Sequence, residues 1–111
     1  MRTPPILPLR RRADFERLFA TGHRVRRGGI TVLCAPSSDG ETRVAVIASR
    51  KVGSAVRRNR AKRRLRAILA DVDLPEATHV AVIAGPSVPD VDFDRLRNWV
   101  SAGLPEEQHV G

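Results

Sequence analysis

The feature that most constrains the fold is a segment from Ala55 to Val72 that contains neither Gly nor Pro. Ser54 before it suits an N-cap, and Ala, Arg and Leu are good helix formers, so a helix is predicted. At about 100° per residue its apolar side chains fall on one face. These residues are Ala61, Leu65, Ile68, Leu69 and Val72. This face should pack on a hydrophobic core.

The opposite face of the same helix is basic. From Ser49 to Arg66 the chain carries nine Lys or Arg residues and no acidic residue. Clustered like charges repel one another, so such a face is typical of a surface that binds a polyanion. Arg58 projects near the apolar stripe instead. We expect its stem to be covered and its guanidinium to reach a carboxylate, a backbone carbonyl or a phosphate.

Charge is divided unevenly along the 111 residues, whose formal net charge is +8. Residues 1 to 66 carry 18 basic and 4 acidic groups, whereas residues 67 to 111 carry 2 and 8. A polyanion should therefore meet the first two-thirds of the chain. The length suits one domain, and with three Phe, one Trp and no Tyr its core must be mainly aliphatic.

Several classes of protein are disfavoured by the sequence. The single Cys34 excludes an internal disulfide, which fits a reducing, cytoplasmic location. No segment approaches the ~18 apolar residues of a membrane span, and the proline-broken start does not resemble a signal peptide.

The rest of the chain predicts short elements around the basic helix. The first helix is predicted from Asp14 to Ala20, with a possible start at Arg12, because Phe15, Leu18 and Phe19 have helical spacing. Strand composition marks residues 30–35, 42–49 and 79–84, and the first two should pair as an antiparallel hairpin. A last helix should begin near Asp90, Asp92 and Asp94 and end near residue 102. Residues 1–9 are predicted to be a flexible arm and residues 103–111 a frayed tail.

Catalytic side chains are not apparent in the sequence. The acids lie mainly after residue 70, and His23, His79 and His109 lack metal-ligand spacing. No Ser, His and Asp arrangement or Walker-type phosphate loop stands out, and the three alternate aspartates lack the Gly and Glu of a calcium loop. The chain is therefore predicted to bind its polyanion without cutting it by its own side chains.

The basic segment resembles the signature of the protein component of bacterial ribonuclease P. The matching residues are Lys51-Val52-Gly53, Ala55-Val56, Arg58-Asn59-Arg60, Lys62-Arg63-Arg64 and Leu65-Arg66. The first helix is also similar, through Asp14, Phe15, Leu18, Phe19 and Gly22. The resemblance covers roughly residues 9 to 100.

This resemblance implies a fold and a function. The fold would be α+β, an αβββαβα two-layer sandwich at residues 10–102. Its mixed sheet would have about four strands, including a short one near Val25, and the basic helix would form a left-handed crossover. The protein would assist a catalytic RNA that removes the 5′ leader from precursor tRNA. Magnesium would be held by that RNA and the substrate, with none bound by the protein alone, and neither DNA nor a membrane would be a partner.

The resemblance also implies site residues, in two groups. The residues expected to contact the RNA subunit are Lys51, Arg57, Arg58, Asn59, Arg60, Lys62, Arg63, Arg64 and Arg66. The residues expected in a cleft for the single-stranded leader are Arg12, Phe15, Phe19, Arg24, Leu33 and Arg50.

Two departures from the family pattern stand out, and other interpretations stay open. Leu33 occupies a position where the family often has an aromatic residue. Where the family commonly has Ala-Arg-Pro, this chain has Ala84-Gly85-Pro86, so Gly85 replaces the arginine.

A different RNA-binding module, such as a small ribosomal protein, would share the charge. A solvated helix face normally mixes both signs, a DNA-binding basic helix would need a dimerising or second recognition helix, and membrane attachment would compete with the core for the apolar face.

Overall fold

The computed structural model describes residues 6 to 105. Within them five strands and three helices alternate around one mixed sheet. In chain order the elements are β1 (Leu7–Pro8), α1 (Arg12–Thr21), β2 (His23–Arg27), β3 (Ile30–Pro36), β4 (Arg43–Ala48), a 3₁₀ turn (Arg50–Val52), α2 (Ala55–Leu69), β5 (Thr78–Ala84) and α3 (Phe93–Gly103). All the predicted helices and strands are present, and their bounds differ from the predicted ones by only a few residues.

The order of strands in the sheet is β1-β4-β5-β3-β2. β5 pairs antiparallel with β3 and parallel with β4, so the predicted hairpin between β3 and β4 is wrong. The reason is that β5 is apolar on both faces and stabilises the sheet most from its centre. The hairpin of this fold is β2–β3, which turns at Gly28 and Gly29 and contains the strand expected near Val25.

Helices cover both faces of the sheet. On one face α2 and α3 bury Leu65, Ile68 and Leu96 against Val32 and Val82. On the other face α1 packs through Leu18, which belongs to a smaller buried cluster with Leu9, Leu33, Ala35 and Ala81. The α+β class is therefore confirmed, with one strand more than expected and with helices on two sides rather than in a single layer. α2 connects the parallel strands β4 and β5, and the left hand of this connection stays a prediction.

The apolar stripe predicted for the basic helix is confirmed. Ala61, Leu65, Ile68 and Leu69 are all fully buried, and Val72 is half-buried beyond the end of the helix. The hydroxyl of Ser54 accepts a hydrogen bond from the backbone N–H of Arg57 at 3.3 Å, as expected of an N-cap. The helix has its C-cap at Ala70, slightly before the predicted end.

Both ends of the fold extend further than predicted. Leu7–Pro8 pairs parallel with β4, and the N–H of the buried Leu9 donates to the Val44 carbonyl at 2.9 Å. Residues 7–9 are thus part of the sheet rather than of a flexible arm. At the other end Gly103 and Leu104 are buried, so the core continues past residue 102. The remaining parts of the predicted arm and tail, residues 1–5 and 106–111, lie outside the described residues.

The departure from the family pattern at Gly85 has a structural counterpart. The N–H of Gly85 donates to the carbonyl of Gly29 at 2.8 Å, which ties β5 to the β2–β3 turn. A Cβ atom on Gly85 would lie inside van der Waals contact with that carbonyl oxygen. This chain therefore has no room for the family's arginine without movement of the backbone turn.

We expect Gly85→Arg to destabilise the protein and not to strengthen RNA binding. The new Cβ would push on backbone rather than on a flexible side chain, at a cost of roughly 1–3 kcal/mol. Thermal unfolding and RNA affinity would be measured together, with Gly85→Ala as the control because it has the same clash without the charge. Higher RNA affinity at unchanged stability for Gly85→Arg would contradict this account.

Candidate nucleic-acid interface

The outer face of α2 presents basic side chains that have no acidic partner among residues 6 to 105. Arg60, Arg63 and Arg66 are exposed, and Asn59 lies between them. The arginines that form ion pairs in this part of the chain are other ones: Arg12, Arg43, Arg57 and Arg97. Positive charge on this face is therefore left for an external anion.

Two arginines of the same helix are used inside the protein. The Arg64 guanidinium donates to the backbone carbonyls of Val88 and Val91, both at 2.6 Å, and lies 5.6 Å from the ring centroid of Phe93. Arg57 donates to the carbonyl of Val52 at 3.1 Å and to the carboxylate of Asp90 at 2.7 Å. Both side chains anchor α2 to the loop before α3.

Asp90 shows how this anchor affects the electrostatics. The hydrogen bond from Arg57 lowers the pKa of the Asp90 carboxyl, and the charges of Arg57, Arg60 and Arg64 lower it further. The carboxylate in turn raises the pKa of Arg57. The flank of α2 that faces the loop is thus locally neutralised, while the outer face is not.

Of the three contacts predicted for the Arg58 guanidinium, the described part of the chain supplies neither the carboxylate nor the backbone carbonyl, and the contact with a phosphate stays a prediction. Its side chain is half-buried, as expected, but residues 6 to 105 offer it neither a hydrogen bond nor an ion pair. Arg57 and Arg64 make the carboxylate and carbonyl contacts instead. Lys62, one turn further along α2, is also half-buried.

A tight turn places two more cations at the start of α2. The Ser49 hydroxyl accepts from the N–H of Lys51, and the 3₁₀ turn then ends at Gly53, which has a φ of 127° that favours glycine. Arg50 and Lys51 are exposed on this turn. They extend the positive surface beyond the N-terminus of the helix.

The opposite face of the sheet has an open strip beside α1. Arg26, Thr31, Ile83 and Ile47 are directly paired from strand to strand, so their side chains share this face. Arg26 is exposed and the other three are half-buried. Three strand spacings of about 4.8 Å make the strip roughly 14 Å long.

The residues expected in a leader cleft are only partly brought together. Phe15 is half-buried and packs beside Ile47, and Phe19 is 43% exposed on the same helix. Arg24 is exposed on β2, in register with Leu33. Leu33 itself is 1% exposed because α1 covers it, so the prediction that it lines an accessible cleft is wrong. Arg12 pairs with Glu16 at the start of α1, and Arg50 lies beyond the end of β4.

A groove at the edge of the sheet links the two faces. β1 pairs with only the first two residues of β4, and beyond it lies a depression of about 430 Å³. Its lining includes Phe15 from α1, Ile47 from β4 and Arg66 from α2. Arg66 therefore stands between the basic face of α2 and the strip beside α1.

Sequence reasoning missed Arg26, Thr31, Ile47 and Ile83. The alternation of side chains along each strand indicates which residues share a face, but only the strand register aligns them across the sheet. It also missed Val56, which is 76% exposed on the basic face of α2. That residue was detectable, since helical periodicity places it opposite the apolar stripe.

Groups suited to other chemistry are few in the described part of the chain. Among residues 6 to 105 no three His, Cys, Asp or Glu side chains are arranged to hold a metal ion. Burial raises the pKa of the Cys34 thiol to about 11, so this thiol is a poor nucleophile. No helix in the same residues is long and apolar enough to cross a membrane.

Fold and surface together define a class of protein, a small α+β domain in which a basic helix connects two parallel strands. The family model for ribonuclease P matches residues 4–106. The chain belongs to the ribonuclease P protein family.

Named relatives agree with this family. The ribonuclease P protein component of Mycobacterium tuberculosis is 38% identical over 98 residues, covering 86% of this chain and 84% of the relative. That of Thermus thermophilus is 41% identical over 91 residues, and there the chain matches 53% of the relative's length. Among solved structures, the RNase P protein of Thermotoga maritima has a TM-score of 0.77 at 28% identity, covering 87% of this chain and 94% of that one. The Staphylococcus aureus protein has a TM-score of 0.74 at 25% identity, covering 88% and 92%.

Proposed function

We propose that this chain is the protein subunit of a ribonuclease P, and that it binds the catalytic RNA through α2. The observation that carries the proposal is the outer face of α2, where Arg60, Arg63 and Arg66 have no acidic partner among the described residues. Arginine neutralises phosphate and releases counterions, which supplies affinity without reading sequence. Lys51 and Arg50 extend the same surface around the start of the helix.

The strip beside α1 suits the single-stranded 5′ leader of precursor tRNA. Ile47 and Ile83 offer an aliphatic floor, and Phe15 and Phe19 on α1 provide aromatic surface nearby. Arg26 provides a cation at one end for a phosphate. Unpaired bases contact such a surface without sequence-specific hydrogen bonds, which suits leaders of varied sequence.

Hydrolysis in this proposal is performed by the RNA. The magnesium ions would be held by that RNA and the substrate, and the protein would increase the affinity for precursor tRNA in the cytoplasm. The described residues support this division of labour because their cations are concentrated at the surface while their carboxylates are paired or dispersed. The protein thus supplies positioning and charge neutralisation.

The proposal is tested by cleavage of a precursor tRNA that carries a 5′ leader, at low magnesium. A bacterial ribonuclease P RNA would be assayed with the protein, without it, and the protein would be assayed alone. We expect stimulation only when both are present, because the protein replaces part of the charge neutralisation that magnesium provides at higher concentration.

The other outcomes of this assay separate the alternatives. Cleavage by the protein alone would show that it has an active site of its own. Tight binding of the RNA without stimulation would favour a ribosomal-type RNA-binding module. Mature tRNA, which lacks the leader, serves as the matched control for substrate affinity, because the strip beside α1 should give its binding no advantage.

A further inference from the structure

An apolar side chain stands on the basic face of α2, in the first turn of the helix. Val56 is 76% exposed, more than either Phe19 at 43% or Phe93 at 40%. A β-branched residue has a lower helix propensity than the Arg, Lys and Ala residues around it. At this position Val56 contributes little to the core, so its methyl groups are available to a partner.

Val56 lies in an open depression with Asn59, Arg63 and Arg66. The depression has a volume of about 460 Å³, and its four residues occupy roughly 80° of the helix circumference. From Val56 to Arg66 it extends about 15 Å along the helix axis. It therefore combines an apolar contact, one amide and two guanidinium groups.

We infer that this depression holds an unstacked adenine of the partner RNA, an inference that rests on the proposed function. The methyl groups of Val56 would pack on the base. The Asn59 amide offers a donor and an acceptor side by side, which match N7 and the N6 amino group of adenine. Arg63 and Arg66 would contact the phosphates on either side of this nucleotide.

The adenine must be outside a regular helix. The major groove of A-form RNA is too deep and narrow for side chains on a helix face, so an amide reaches this base edge only in a loop or bulge. An acidic protein segment is a less suitable occupant. It would pair with the guanidinium groups but leave the Val56 methyl groups and the Asn59 amide without a specific role.

The test is a chemical footprint on ribonuclease P RNA. Diethyl pyrocarbonate modifies accessible N7 atoms of adenine, so it reports on the proposed contact directly. With wild-type protein we expect protection of one unpaired adenine. Asn59→Asp keeps the shape but removes the amide donor, so the protection should be lost and the affinity should fall by about tenfold. Val56→Thr replaces one methyl group by a hydroxyl and should weaken both the protection of the adenine and the affinity for the RNA.

Ala67→Thr is the matched control. Ala67 is exposed on α2 outside the depression, and this variant introduces the same side chain as Val56→Thr. Its protection and affinity should equal those of the wild type. Thermal unfolding of all variants verifies that each is folded at the temperature of the footprint.

The inference and the proposed function fail differently. If the wild type stimulates cleavage but protects no adenine, or if Asn59→Asp keeps the protection, the adenine site is wrong and the function stands. Protection of a guanine instead of an adenine at this face would also overturn it. If the wild type neither binds nor stimulates ribonuclease P RNA, the proposed function fails and the inference fails with it.

Discussion

Replacing the adjacent arginines Arg63 and Arg64 by methionine should have opposite consequences. Arg63→Met removes an exposed cation, so RNA affinity should fall and the slope of log affinity against log salt should decrease by about 0.7–0.9. Arg64→Met removes the two donors to Val88 and Val91. One hydrogen bond from a charged group contributes about 1.5–3 kcal/mol, but Arg64 is only half-buried and water can replace part of the pair, so the free energy of unfolding should fall by roughly 2 kcal/mol. Its salt slope should stay at the wild-type value.

The two measurements are RNA binding over a range of salt concentrations and unfolding by denaturant. Each variant serves as the control of the other, because the chemical change is the same and the two positions are neighbours on one helix. The distinction would be contradicted if Arg64→Met reduced the salt slope as much as Arg63→Met while the protein kept its full stability. In that case the carbonyls of the loop before α3 would be incidental contacts.

This contrast marks a limit of sequence reasoning. The motif from Lys51 to Arg66 presents all its cations alike, and helical periodicity separates Arg57 and Arg64 from Arg63 only by direction. What lies in that direction is the loop before α3, which is more than twenty residues away in the chain. Whether an arginine faces RNA or a carbonyl of its own protein is therefore decided by tertiary structure.

The fold, too, was predictable where its signals are local and not where they depend on tertiary contacts. α2 was predicted in detail because its N-cap, its apolar stripe and its charged face are all local signals. The strand pairing was not, since β3 and β4 are joined by a short turn and yet are separated in the sheet by β5. Only the pairing explains why Leu33 is covered by α1 while Ile47 and Ile83 remain accessible.

The resemblance to a family supplied what periodicity could not. It indicated the strand near Val25, which has no strong local signal. It was less reliable for single positions, because Leu33, which it placed in the leader cleft, is buried. Family patterns thus transfer architecture more safely than they transfer the exposure of an individual side chain.

Leu65→Ala should be the most destabilising of the substitutions considered, because Leu65 is fully buried between α2 and the sheet. Removing its side chain leaves a cavity and should lower the free energy of unfolding by ~2–5 kcal/mol, a large part of the 5–15 kcal/mol typical of a domain. Val56→Ala is the matched control, since it removes methyl groups from the exposed side of the same helix and should change stability by at most about 0.5 kcal/mol.

Trp99 offers a convenient readout for this comparison. It is the single Trp in a chain without Tyr, and it is half-buried against Gly28 and Gly29, so its emission should shift to the red on unfolding. Equal losses of stability for Leu65→Ala and Val56→Ala would mean that α2 is not held by its apolar stripe. We expect instead that the two faces of α2 have different roles, so that Leu65→Ala lowers the stability of the fold and Val56→Ala weakens only the binding of RNA.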